Sequence, residues 1–199
     1  VTEIARILST VGMTELVVRD RDRDPSLEHT AFWTIAAISL MATLALWFGA
    51  DSYAALVRAP EVVPFLKALA LLMPLSTLAA IHTALLTRDL LHKSLAKQSI
   101  AATLAGGIVA IALALNGYGV WALVGQAGTA AVVTTIMLWS MHPWRPRLVF
   151  DVQHLRSLLL FGASLSATHL LWILAARLQE VFIARYRGTE AVGLFRIAW

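Results

Sequence analysis

From Ala31 to Phe48 the chain runs AFWTIAAISLMATLALWF without one ionisable side chain. As a helix this stretch rises about 27 Å, nearly the ~30 Å depth of a bilayer's hydrocarbon. It has no charged face to turn toward water, so it needs apolar neighbours on every side or lipid as its solvent. Val62–Thr87, Ser99–Leu115 and Val120–Met141 are runs of the same kind. The turn between the last two, Asn116–Gly119, is so short that it allows only antiparallel neighbours. In lipid every backbone N–H and C=O must be paired within the protein, which leaves helices or a closed barrel, and these runs are roughly twice a barrel strand's length. The pattern predicts an all-α, polytopic transmembrane helical bundle.

Composition agrees. Hydrophobic residues make up 59% of the chain and charged residues 14%, against roughly 45–50% and 25% in a soluble domain. The net charge of +4 would point to nucleic acid in a soluble protein, but here the cations lie in short loops between apolar runs, where they report topology. There is no cysteine, which excludes disulfides and thiolate metal sites. No phosphate-cradling glycine loop, HExxH or GxSxG is present, so no cofactor, metal or soluble-enzyme chemistry is expected.

Counting Lys and Arg orients the bundle. The connections at 19–30, 88–98 and 142–156 carry three each, 49–61 carries Arg58 alone, and 116–119 carries none. That alternation places the first, third and fifth connections in the cytoplasm. Arg185 and Arg187, after the last long helix, fall on the outer side and break the rule. Arg19–His29 alternates in sign around Pro25 and reads as an exposed loop that neutralises itself. Pro74 should kink its span. Lys67 should snorkel to an interface, the pair Gly106–Gly107 suits tight helix contact, and Trp121 and Trp139 suit an aromatic belt. Arg88–Gln98 reads as a basic amphipathic turn.

The most informative stretch is Ser157–Gly188. Through Ala176 its only titratable group is His169, and Arg177 and Glu180 follow. On a helical period Gly162, Ser166, His169, Ile173, Arg177 and Glu180 share one face, with Leu158, Leu165, Trp172 and Leu174 spread round the remainder. A polar stripe on a membrane helix must face protein or water, and a transport cavity is the functional form of that requirement. Bland roles fit the same residues: Arg177 and Glu180 pairing with each other at i,i+3, His169 and His82 as hydrogen-bonded packing groups, and Gln126 and Thr129 knitting helices together. Val1–Val18 gathers Thr2, Glu3, Arg6, Ser9 and Thr10 on one side, as either an interfacial or partly missing span or a cavity-lining one. The chain opens on Val1 without a signal-peptide pattern and closes on Ala191–Trp199, shorter than the ~20 residues a span needs. It therefore reads as an internal fragment of a longer transporter-sized chain.

Six stretches carry a resemblance: HTAFWTIAAISL (29–40), LLTRDLLHKSLAK (85–97), GYGVWALVGQ (117–126), HPWRPRLVFD (142–151), LRSLLLFGASLS (155–166) and YRGTEAVGLFRIAW (186–199). In this order and spacing the chain resembles the polysaccharide biosynthesis flippases (lipopolysaccharide O-unit, WzxC-like) of the multidrug/oligosaccharidyl-lipid/polysaccharide exporter superfamily. The resemblance implies a two-bundle, MATE-like transporter of twelve or more spans. Residues 1–141 would be a partial N-terminal bundle of about five helices, 142–156 the cytoplasmic joint, and 157–199 the start of the C-terminal bundle. It implies flipping of undecaprenyl-pyrophosphate-linked oligosaccharide across a bacterial inner membrane, with membrane lipids, a coupling cation (H⁺ or Na⁺) and polysaccharide polymerase machinery as partners, and no nucleic acid. The candidate cavity residues are Arg177, Glu180, His169 and Ser166, with Gln179, Arg6 and Gln126 secondary. Where relatives carry an acidic residue near the end of the seventh helix, this chain has Gln179 and then Glu180. A drug or ion exporter of the same superfamily, and a membrane polymerase or ligase with a large outer loop, are the competing classes.

Overall fold

The computed structural model describes residues 12–20, 23–57, 59–168, 171, 172 and 175. Arg6, His169, Arg177, Gln179, Glu180, Arg185 and Arg187 lie outside them, as do most of Val1–Val18 and the segment closing the chain. All regular structure among the described residues is helical: α1 (Gly12–Arg19), α2 (Pro25–Val57), α3 (Val63–Arg88), α4 (His92–Leu115), α5 (Trp121–Met141) and a sixth helix, α6, over 152–168, with a 3-10 turn at Pro60–Val62 before α3. The segments containing α2 to α5 are all long and apolar enough to cross a membrane. Helix α3 is the hub. It packs against α1, α2, α4 and α5, while α4 and α5 form an antiparallel hairpin.

Helix α2 is longer than its apolar run at both ends. Its 33 residues rise about 50 Å, well beyond the hydrocarbon. At its start Pro25 supplies a fixed φ at the first helical position, and the Asp24 carboxylate accepts the Ser26 backbone N–H at 2.8 Å. The expected exposed loop therefore ends early: Leu27, Glu28, His29 and Thr30 are helical and buried. At the other end 49–57 continues as helix, so the expected connection shortens to a few residues. Asp51 there meets Lys67 at 3.0 Å, and the Lys67 ammonium lies over the Trp47 ring. Lys67 is an anchor, as expected.

Pro74 sits inside α3, where its missing N–H leaves the Ala70 carbonyl without its helical partner. The Thr43 hydroxyl of α2 donates to that carbonyl at 3.1 Å. A buried, apolar-surrounded defect is thus repaired from a neighbouring helix, the solution that lipid imposes. Helices α4 and α5 close on glycine. A Cβ at Gly106 would lie 2.9 Å from the Gln126 carbonyl, and one at Gly125 would collide with Leu113, whereas one at Gly107 would meet nothing. Only the first glycine of the expected pair makes contact. Gln98 also donates to Thr134 across this hairpin at 2.6 Å.

Two turns reverse the chain by the same device. After α4, Tyr118 N–H returns to Leu113 and Gly117 N–H to Ala114, with Gly117 at φ +79°. After α3, Leu91 N–H returns to Leu86 and Leu90 N–H to Thr87, with Leu90 at φ +56°. Both are Schellman caps, which favour glycine at the left-handed position. The second uses leucine.

Candidate functional site

Charged connections cluster at one end. Arg88 meets Glu28 at 2.7 Å, with side chains only 11% and 8% exposed, and Arg23 meets Asp89 at 2.8 Å. These contacts bring 19–30 and 88–98 together, and the 142–151 linker lies across both. Its backbone is held by α2 and α3: Trp33 Nε1 donates to the Arg147 carbonyl (2.9 Å), Arg147 N–H donates to His29 Nδ1 (3.3 Å), and Asp151 N–H donates to the Thr30 hydroxyl (3.1 Å). Trp144 stacks on His29 at 5.3 Å and meets the edges of His82 and Phe32. Arg145 donates to the carbonyls of Trp139, His142 and Trp144, which ties down the open end of α5. The stretches 29–40, 85–97 and 142–151, separate in sequence, therefore meet in space.

The expected role of one residue changes here. Trp139 is drawn inward: its Nε1 donates to the Leu78 carbonyl at 3.0 Å and its ring packs on His82. Trp121, at the far end of α5, is exposed and packs on Phe65, as a belt residue does. His82 is fully buried among these rings and donates to the Trp144 carbonyl (3.3 Å), the packing role expected of it. At the edge of the cluster Ser26 hydrogen bonds, side chain first and backbone second, hold the Asp24 carboxyl below its ordinary value, and His154 adds to the effect.

A second feature is a gap of about 290 Å³ between α1, α2 and α6, lined by Met13, Ile38, Leu159, Gly162 and Ser166 among others. Ser166 is 3% exposed, and its hydroxyl finds no hydrogen-bond partner among the described residues. A buried unpaired hydroxyl is costly. Gly162 of α6 lies against Met13 of α1, where an added Cβ would make ordinary contact at 3.5 Å. Gly162 and Ser166 thus face protein, and Leu158, set apart from that face in the sequence reading, is buried on the same side, because four residues before Gly162 is one helical turn. Of the four main candidates Ser166 alone is among the described residues. Gln126 is exposed on α5 against Gly106 and does not line the gap.

The spacing missed the buried Glu28–Arg88 pair and the histidine seat of the linker. Their partners are 60 to 118 positions apart, so no local period encodes them; the signal available was that three of the resembling stretches carry His29, Arg88 and Arg147, with Glu28 just ahead of the first.

Residues 1–199 match the family described as polysaccharide biosynthesis protein. The chain belongs to that family. It is 28% identical over 198 residues to the succinoglycan biosynthesis transport protein ExoT of Rhizobium meliloti (strain 1021), covering all of this chain and 40% of the relative. It is 23% identical over 205 residues to the teichuronic acid biosynthesis protein TuaB of Bacillus subtilis (strain 168), covering all of this chain and 41% of the relative. The chain thus spans about two fifths of the length of these curated relatives. No solved structure matches it. The family and the apolar helices together make this a multi-pass membrane protein.

Proposed function

We propose that this chain is part of a transporter that moves lipid-linked oligosaccharides across a bacterial inner membrane during surface polysaccharide synthesis, and that the gap between α1, α2 and α6 belongs to its passage. The observation that carries the reading is the whole-length similarity to a family with a named transport protein, combined with a hydroxyl, unpaired among the described residues, that faces a gap between membrane-length helices. A sugar–pyrophosphate headgroup cannot enter hydrocarbon unaided, since each unpaired polar group costs several kcal/mol there. A passage with hydroxyl, imidazole and guanidinium groups replaces its hydration while the lipid tail stays in the bilayer. The period of Gly162 and Ser166 continues in sequence through His169, Arg177 and Glu180. Arg177 would pair with the pyrophosphate, for which a planar, permanently charged group is suited, with Glu180 holding it or binding a coupling cation (H⁺ or Na⁺).

In this reading 142–156 is the joint between two bundles that rock against each other, with 1–141 in one and 157–199 in the other. Polysaccharide polymerase machinery would take the product. The connections at the end opposite the linker, at 59–62 and 116–120, are short, which disfavours a polymerase or ligase with a large catalytic loop. The test is to introduce Ser166→Leu, Arg177→Ala and Arg177→Lys into the full-length protein. Loss of surface polysaccharide, with lipid-linked units held on the inner leaflet and the protein still in the membrane, supports the proposal. Wild-type export by all three variants overturns the site. Unchanged polysaccharide with altered drug tolerance on gene disruption overturns the substrate and favours a drug exporter.

A further inference from the structure

The 142–151 linker is seated by imidazoles in defined protonation states. A backbone N–H can only donate, so Nδ1 of His29, which takes the Arg147 N–H at 3.3 Å, carries a lone pair. The same holds for Nδ1 of His142, which takes the Trp144 N–H at 3.2 Å. Both rings are therefore neutral, with their protons on Nε2, and the next proton each accepts must go to the nitrogen that holds the linker. His82 is different. It donates from Nε2 to the Trp144 carbonyl, and a second proton leaves that bond intact.

We infer that the linker is a proton-released latch: protonation of His29 and His142 frees the Arg147 and Trp144 amides from α2 and from the linker's own turn, while His82 keeps the Trp144 carbonyl as a pivot. The charged neighbours are distributed on both sides of the balance. His29 faces Glu28 of its own helix, itself held by Arg88 of α3, and Arg147 of the linker. His142 faces Asp89 at 3.8 Å, which Arg23 also holds, together with the His82 ring. Arg145 lies over Trp139 beside them. His154 of α6, set between Asp24 and Asp151 at 3.4 and 3.5 Å, touches neither amide and is a separate contact. A transport role for the latch rests on the reading of 142–156 as the joint between bundles. The release itself does not.

The experiment is amide hydrogen exchange on the full-length transporter in lipid nanodiscs, with rates normalised to the intrinsic exchange rate at each pH. Between about pH 7.5 and 4.5 the protection of Trp144 and Arg147 should fall about tenfold or more in the wild type. In His29→Asn/His142→Asn, where an amide oxygen replaces each Nδ1 acceptor without titrating, protection should stay level. His154→Asn should retain the wild-type fall. A wild type with level protection overturns the latch, whatever the variants do. An equal fall in the doubly substituted protein overturns the assignment to these two histidines. Because exchange is read without transport, failure here leaves the proposed substrate standing, and failure of export leaves the latch standing.

Discussion

At the residue scale the least comfortable backbone position is Leu90. It holds φ +56° at the end of α3, a conformation that costs an L-residue roughly 1 kcal/mol. Its side chain is 76% exposed, so it contributes little packing in return. The equivalent position after α4 is Gly117. Leu90→Gly should therefore stabilise the folded protein by about 0.5–1 kcal/mol, and Leu90→Val, branched at Cβ, should destabilise it by at least as much. Unfolding midpoints in detergent check both. A loss on Leu90→Gly would mean that the leucine packs in lipid or protein more firmly than its exposure indicates. A connection at 88–98 is legible in the sequence, but its cap is not, because RDLLHK carries neither glycine nor asparagine to mark the left-handed position.

At the element scale, apolar length was legible and helix faces were not. The spans could be read directly from Ala31–Phe48 and its counterparts, since residues apolar on every side leave no other solvent. That same evenness hides which residues touch. Gly106 and Gly107 are indistinguishable in sequence, yet one lies against the Gln126 carbonyl and the other faces open space. Gly106→Leu should force α4 from α5 and cost about 2–3 kcal/mol, in the range of other overpacked contacts. Gly107→Ala should be neutral or stabilising by up to about 1 kcal/mol, because it only reduces backbone freedom. Unfolding midpoints of the two variants, measured side by side, decide it, and similar losses would show that both glycines are buried in the full-length protein. The candidate stripe was legible for the opposite reason. Gly162 and Ser166 are the exceptions in an apolar helix, and exceptions carry a phase. That phase also includes Leu158, one turn before Gly162, which the sequence reading sets apart.

At the scale of the whole molecule, the connections sort onto two ends. Ion pairs Arg23–Asp89 and Arg88–Glu28, and the linker across them, gather the three connections that carry most of the cations. The opposite end holds the 3-10 turn and Tyr118, near Phe65 and Trp121. The geometry fixes which connections share a side, and the excess of Lys and Arg says which side that is, because cations are retained in the cytoplasm during insertion. The described chain has no cysteine, so single thiols introduced into it can be assigned without ambiguity against a cysteine-free full-length background. Tyr118→Cys should react with a membrane-impermeant maleimide in intact spheroplasts, and Lys93→Cys should react only after permeabilisation. Reversed labelling would invert the topology and place the histidine-seated linker on the outer side of the membrane. Labelling of both from one side would break the bundle itself, since α4 would then not cross between them.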